Sequence, residues 1–320
     1  VLSVVFLARD ERPRLPRALT SIAGVPEVVV CDTGSHDGTP DVAEALGARV
    51  HTVEWTDDFA AARTAAQAEA RFDWIVRMDA DEIAHVVRGT VAEWLGHAVS
   101  VAERREADVV YVRRRYAPGN EHWFPRIFRA SRHRWRHPLH EVVVPVGERR
   151  RVIACDGAVF VHHPSPRARG YAAVAARHLA RNPRDPHLRY YRARACWEEG
   201  HPCIAELEAY LAGPADYRFH RGEAHRMLGA ELASVGDHAG ALAHLREAAL
   251  GDRRAEAAHA IIRMYLLRGE RAQARRWIHR MAEARPPVER APWGGWSTPY
   301  LLHTPAWSPA AWRGAWQSAA

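Results

Sequence analysis

The chain contains no lysine: all 45 of its basic residues are arginine, set against 38 acidic ones, and the formal net charge is +7. A lysine-free chain rich in alanine reflects codon bias as much as function. Its arginines are interleaved with Asp and Glu rather than gathered in one block, so nucleic acid is not the inferred partner. The positive excess still suits an anionic nucleotide substrate. Cysteine is scarce too, with four residues (Cys31, Cys155, Cys196, Cys203) and no Cys-x-x-Cys spacing. That removes a zinc ribbon and a dithiol redox motif. Cys196 and Cys203 stand near enough in sequence to approach each other, but reduced core thiols are the expectation. No apolar run reaches the ~18 residues that span a bilayer, no leader is expected ahead of the first strand, and a soluble cytoplasmic protein is the reading.

What is present divides the 320 residues into three stretches. From 1 to about 85, short apolar runs alternate with amphipathic segments. Strands are expected at 2–7, 27–32, 49–53 and 74–78, with helices at 15–22, near 41–46 and at 59–70. Strands and helices alternating at this length imply a parallel, doubly wound α/β sheet. From 90 to 165 strand-like pieces dominate (108–113, 126–130, 141–146, 151–155, 158–162), with one helix near 90–104, which gives the sheet a more mixed edge. From about 170 the chain turns helical and repeats itself: Gly200, Gly236 and Gly269 are each followed five residues later by Ala205, Ala241 and Ala274. Intervals of 36 and 33 residues lie close to the helix–turn–helix period of about 34 in tetratricopeptide repeats. The domain boundaries are placed at 1–168 (α/β), 169–285 (helical repeats) and 286–320 (a tail). That tail carries Trp293, Trp296, Trp307, Trp312 and Trp316, with Trp277 just upstream and prolines between most of them. Its rings either plug the end of the repeats or offer an acceptor-binding or oligomerisation surface; a homodimer through the repeats or the tail is one expectation.

Three constellations carry chemistry. Asp79-Ala80-Asp81-Glu82 directly follows the buried run Trp74–Met78. Two carboxylates at the carboxyl end of such a strand project into the crevice where open α/β sheets bind ligands. Hard divalent cations take oxygen ligands and accept a phosphate-bearing substrate in their remaining positions. A helix N-terminus or solvated turn is the plainer alternative. Asp32, ending the second strand, leads into Thr33-Gly34-Ser35-His36-Asp37-Gly38-Thr39, where a carboxylate can accept hydrogen bonds from a nucleobase or ribose, or can simply build a turn. Asp58 reads as the N-cap of a helix carrying Arg63, whose guanidinium suits a bidentate clamp on phosphate; the alternative is a surface ion pair with Asp57 or Asp58.

Taken in order, Val29–Thr39, Glu54–Arg63 and Trp74–Glu82 resemble the family 2 glycosyltransferases of GT-A fold, and most closely the bacterial branch with a helical repeat domain behind the catalytic one. The resemblance spans about 1–165 by motif and 170–285 by architecture alone. It implies that Asp32 holds the uridine part of a donor and that Asp10, within Arg9-Asp10-Glu11, lies near the nucleotide. Asp58 and Arg63 would border the nucleotide and its diphosphate, although the family's usual Asn after this Arg is Thr64 here. Asp79 and Asp81 correspond to its metal-binding pair, with Asp81 the more direct ligand. Phe124–Arg129 and Trp135–Glu141 match an Arg-x-Phe-Arg segment and a His-Glu pair. The strand-end histidine that completes the metal site corresponds to His163, with His162 beside it, while Ser165-Pro166 stands where the family has Gly-Tyr.

These positions imply displacement at the anomeric carbon of a UDP-sugar, with Mn²⁺ or Mg²⁺ on Asp81 bridging the diphosphate. One-step inversion onto a hydroxyl needs a general base, for which Glu141 is the candidate; a thiol acceptor needs less help. The acceptor is unidentified, and the repeats make a peptide or protein one possibility beside a glycan, lipid or small molecule. Two rivals are a nucleotidyltransferase, which attacks a phosphate instead, and a repeat-based adaptor with a decayed catalytic domain.

Overall fold

The computed structural model describes residues 1–117, 120–147, 151–163, 170–214, 218–251 and 255–283, together with the two-residue strands Glu289–Arg290 and Trp296–Ser297. The boundary at 168/169, Ser165-Pro166 and nearly all of the Trp/Pro-rich tail lie outside the described residues. The chain forms two compact units, separated near residue 167.

In the first unit the order is β1 (Ser3–Ala8), α1 (Leu15–Ser21), β2 (Glu27–Asp32), α2 (Thr39–Ala45), β3 (Arg49–Thr52), α3 (Phe59–Ala68), β4 (Trp74–Asp79), β5 (Glu82–Val86), α4 (Val91–Arg104), β6 (Ala107–Ala117), β7 (Asn120–Arg129), β8 (His133–Arg136), β9 (Val142–Pro145) and β10 (Arg151–His162). Eight strands form one sheet in the order β3-β2-β1-β4-β7-β6-β10-β5, and β8 pairs with β9 in a separate ribbon. The β3-β2-β1-β4 half is parallel, as alternation of strand and helix requires. β7 and β5 run antiparallel to their neighbours, which makes the far half mixed.

Both faces of the sheet are covered. Val4, Phe6, Val76, Met78, Val110 and Phe160 pack on one side with Leu15, Ala18 and Leu19 of α1 and with Leu95 and Ala98 of α4. On the other side Val5, Val29, Ile75 and Phe128 meet Ala62 and Ala66 of α3 and Trp135 of β8. Alternation along each strand produces this division, because successive side chains point to opposite faces. Register then places the functional ends: Ala8 pairs with Asp32 and Leu7 with Asp79, so these two aspartates flank the carboxyl end of β1.

Two expectations are redrawn. The pieces at 151–155 and 158–162 are one strand, β10, with a register shift between Ala154 and Val159. Gly157 sits in that irregularity at φ 94°, a region a side chain rarely enters. Glu82 is not only the end of an acidic motif; it starts β5, the edge strand, where it pairs across from His162.

The second unit contains α5 (Tyr171–Arg181), α6 (Pro186–Glu198), α7 (Ile204–Ala212), α8 (Arg218–Ser234), α9 (His238–Gly251), α10 (Ala255–Leu267) and α11 (Arg271–Glu283). Gly200, Gly236 and Gly269 fall at the turns α6–α7, α8–α9 and α10–α11, all with positive φ (75°, 87°, 73°), the glycine that ends a helix. Ala241 and Ala274 are fully buried at the following helix, whereas Ala205 in the first pair is exposed. The crossing of α8 on α9 is close: a Cβ at Gly229 would lie 2.6 Å from Leu245 Cγ. Three helix pairs of this kind are a tetratricopeptide-like array. Among the described residues, no helix is long and apolar enough to cross a membrane.

Candidate functional site

The loops after β1 and β2 are sewn together. Asp32 accepts the N–H groups of Gly34 (3.0 Å) and Ser35 (2.9 Å), and the Ser35 hydroxyl donates to its other oxygen. Asp10 accepts the N–H of His36 at 2.8 Å and donates its own N–H to Ser35 Oγ at 2.7 Å. The N–H of Glu11 reaches Thr39 Oγ1 (2.8 Å), and that of Arg12 reaches Asp37 Oδ2 (3.0 Å). Asp10 and Asp32 are thus brought into one network through Ser35, and Asp32 builds its own turn as well as ending the strand.

Asp58 caps α3, its carboxylate accepting the N–H of Ala61 at 2.9 Å. One and a half turns on, Arg63 is buried and is held by carboxylates from outside the helix. It donates to Asp79 Oδ1 through Nη2 and to Glu141 Oε1 through Nε at 3.2 Å. Glu141 is delivered by a loop with two residues at positive φ, His137 (72°) and His140 (51°). The Pro138 carbonyl ties this loop to α3 by accepting the Phe59 N–H, and Leu139 is buried beneath it.

Around Asp79 the structure assembles charges that the motifs do not reveal. Arg77 reaches Asp79 Oδ2 at 3.5 Å and Glu141 Oε1 at 3.3 Å, and both Arg63 and Arg77 lie over the ring of Trp135. Arg114 reaches Asp79 Oδ2 at 3.5 Å, pairs with Glu82 through Nε at 2.6 Å and donates to the Tyr116 hydroxyl at 2.9 Å. Arg126, with no exposure, binds Glu82 and the Arg77 carbonyl. Glu82, likewise unexposed, also accepts the Asp79 N–H at 3.0 Å. The result is an alternating series: Glu141, Arg63 and Arg77, Asp79, Arg114, Glu82, Arg126.

Burial pushes the Asp79 carboxyl up, but the guanidiniums of Arg77, Arg63, Arg114 and Arg126 outweigh it and hold that carboxyl well below the usual range. Burial works against the charge on Arg77, yet Asp79, Glu141 and Glu82 hold its pKa above the ordinary value. For Arg126 the balance reverses: burial, with Arg114 and Arg77 nearby, pulls its pKa down despite Glu82. Buried Nη1 of Arg63 and Nε of Arg77 have no hydrogen-bond partner among the described residues. Donors left idle inside such a cluster fit an anionic ligand.

Asp81 has a different partner. His162 Nε2 lies 3.2 Å from its Oδ2, and Tyr116 packs edge-on against that imidazole at 5.4 Å. His163 donates its backbone N–H to the Asp81 carbonyl (2.7 Å), and the residue lines a groove of about 970 Å³ with Pro16, Arg17, Ile83 and Val161. Of the two adjacent histidines, His162 is therefore the one whose ring meets Asp81. Among the described residues, no group of three or more His, Cys, Asp or Glu side chains is gathered as a metal cage. One carboxylate and one imidazole suit a hard divalent ion that takes its remaining ligands from substrate phosphates. Sequence reasoning missed Arg114; Arg77, Glu82, Trp135 and Arg126 lie in segments it singled out but gave no role.

The fold and site together are those of an α/β sheet carrying carboxylates at the ends of β2 and β4 and an arginine cluster around Asp79. The family profile for Glycosyl transferase family 2 matches residues 3–165, half of the chain, and the chain belongs to that family. Its first unit has the GT-A arrangement, a parallel half-sheet continued by mixed strands. A TPR repeat-containing protein of Synechococcus elongatus is 36% identical over 147 residues, covering 44% of this chain and 35% of that protein. An uncharacterized glycosyltransferase of Rickettsia bellii is 34% identical over 82 residues, 25% of this chain and 28% of the relative. The chain thus spans about a third of the length of these curated relatives. Among solved structures, Staphylococcus aureus TarS residues 1–349 in complex with UDP aligns at 14% identity with a TM-score of 0.40, covering 78% of this chain and 85% of that one.

Proposed function

We propose that the chain transfers a sugar from a nucleotide-diphosphate sugar, a UDP-sugar by the motif at Asp32, to an acceptor hydroxyl with inversion at the anomeric carbon. The observation that carries this is the arginine cluster at the carboxyl ends of β1 and β4, with idle buried donors on Arg63 and Arg77. Asp10 and Asp32, joined through Ser35, border the nucleoside. Asp58 sets the start of α3, so that Arg63 meets the diphosphate from one side while Arg77 and Arg114 meet it from the sheet. Their charge stabilises the departing diphosphate in a site already ordered before reaction. Mn²⁺ or Mg²⁺, when bound, supplies Lewis-acid stabilisation of that leaving group. Asp81 is the side chain to hold it, with His162 beside it, and His163 fixes the Asp81 backbone.

Glu141 is the proposed base. Its Oε1 is occupied by Arg63 and Arg77, which leaves Oε2 to take the acceptor's proton. The repeat array argues for a peptide or protein acceptor, because stacked helix pairs present extended binding surfaces. A cytoplasmic location and a homodimer belong to the same proposal.

The test is a thermal-shift screen of nucleoside diphosphates with Mn²⁺, followed by hydrolysis of the matching nucleotide sugars. A ligand at 100 times its Kd stabilises by about 2.7 kcal/mol. UDP with Mn²⁺ is expected to raise Tm, and Asp81→Asn to abolish the metal-dependent part. Retention of that part refutes the metal site. Pyrophosphate release from a nucleoside triphosphate would identify a nucleotidyltransferase, and no shift with any nucleotide would identify an adaptor.

A further inference from the structure

We infer that Asp79 is the hub of a charge lattice rather than a metal ligand, and that it occupies the guanidiniums which a donor diphosphate must take over. This rests on the proposed donor site and assigns it a binding step. Four guanidiniums (Arg63, Arg77, Arg114, Arg126) alternate with three carboxylates (Asp79, Glu82, Glu141), and Asp79 is the one that touches three of the four. Both its oxygens are engaged: Oδ1 by Arg63, Oδ2 by Arg77 and Arg114. A cation approaching Asp79 would enter a cluster whose net charge is already positive. Among the described residues, the ion pair given for Asp81 is with His162 and not with an arginine. The acidic pair is therefore divided between two tasks.

Gathering guanidiniums this closely is unfavourable because like charges repel at this range. Asp79 offsets that repulsion when no ligand is bound, and its carboxylate stands in for a phosphate. Diphosphate binding is then an exchange, in which the ligand's oxygens displace Asp79 from shared donors while Glu82 and Glu141 keep the outer arginines in place. Asp79 is a positioning residue that both preorganises the cluster and competes with the ligand.

The experiment is calorimetric titration of the full chain with UDP and with inorganic pyrophosphate in chelator, and with Mn²⁺ in the presence of UDP. For Asp79→Asn, which keeps the shape and removes the charge, metal-free affinity for both anions is expected to rise about tenfold or more, since a buried competing charge is gone. Its Mn²⁺ affinity should stay within about threefold, while Asp81→Asn loses more than about tenfold. A site carboxylate lost only as a structural prop would weaken anion binding instead. Unchanged or weaker metal-free anion binding in Asp79→Asn overturns the lattice, and loss of Mn²⁺ binding to the extent seen in Asp81→Asn makes Asp79 a ligand. The charge-balanced pair Arg77→Met with Asp79→Asn covers the case where the single variant fails to fold; its Mn²⁺ affinity should again match the wild type, and its loss overturns the inference. If pyrophosphate responds as expected but UDP does not bind the wild type, the lattice stands and the glycosyl-donor reading fails.

Discussion

Glu82 and Arg126 are both fully buried and ion-paired, yet they should not be equivalent. Glu82 has three partners: Arg126, Arg114 Nε at 2.6 Å and the Asp79 N–H at 3.0 Å. Removing Arg126 leaves the carboxylate two of them. Removing the charge of Glu82 leaves Arg126 with the Arg77 carbonyl at 3.2 Å and the faces of Phe124 and Phe160 at 5.5 and 5.3 Å. An uncompensated buried charge costs about 3–5 kcal/mol, whereas loss of one charge-assisted bond from a group that keeps others costs about 1–3 kcal/mol. Glu82→Gln is therefore expected to destabilise the α/β unit by about 3–5 kcal/mol and Arg126→Met by about 1–3 kcal/mol. The double variant should fall short of the sum by about 0.5–3 kcal/mol, because the two sites share partners. Urea unfolding of the full chain, followed by tryptophan fluorescence, measures all three. Equal or reversed costs for the single variants would refute the reasoning, as would strict additivity.

Three further outcomes are expected. Glu141→Gln should leave UDP binding no weaker while lowering transfer to hydroxyl acceptors by about 10²–10⁴-fold; unchanged turnover removes Glu141 as the base. Gly229→Ala should destabilise the repeat unit by about 1–3 kcal/mol, since its Cβ would meet Leu245 at 2.6 Å and the Ala241 carbonyl at 3.1 Å; a neutral effect in thermal melts would show that α8 and α9 can separate freely. Burial, with His244 and Arg221 nearby, pushes the His225 ring down to about 4. The unfolded chain then holds a proton between about pH 6.5 and 4 that the folded chain does not, so stability rises with pH across that window and falls on acidification. Allowing for partial exposure, the effect is about 1–2 kcal/mol. The Tm difference between about pH 7 and 5 should shrink in His225→Gln, and an unaltered difference refutes the assignment.

Much of the fold was legible because its signals are local. β1, β2, β4 and α4 follow from apolar runs and periodicity, and the turns of the repeats follow from Gly200, Gly236 and Gly269. β5 was not legible: Glu82-Ile83-Ala84-His85-Val86 is short, mixed, and a strand only because β10 lies beside it. β10 read as two pieces because Asp156-Gly157 is good turn chemistry, which the neighbouring strand overrides. Asp32, Asp58, Arg63, Asp79 and Asp81 stood out as an ordered set of motifs, with Asp10 added through the resemblance alone, although Asp32 and Asp58 also perform the turn and cap duties of their plainer readings.

The arginines opposite those acids did not stand out, for two physical reasons. With 45 arginines in 320 residues, no single one is conspicuous. Their partnerships also depend on strand order: β4, β7 and β6 are neighbours in the sheet, which brings Arg77, Arg126 and Arg114 to one place from well-separated parts of the chain. The absence of lysine then acquires a structural meaning at this site. Asp79 takes Arg63 on one oxygen and Arg77 and Arg114 on the other, and Glu141 takes two guanidiniums on one oxygen. A planar fork with five donors can serve two carboxylates at once, whereas an ammonium group is a compact point charge. Arg63 does this, linking Asp79 through Nη2 and Glu141 through Nε. Arg63→Lys should therefore keep the charge yet lose one of the two links, loosening Glu141 before it loosens Asp79.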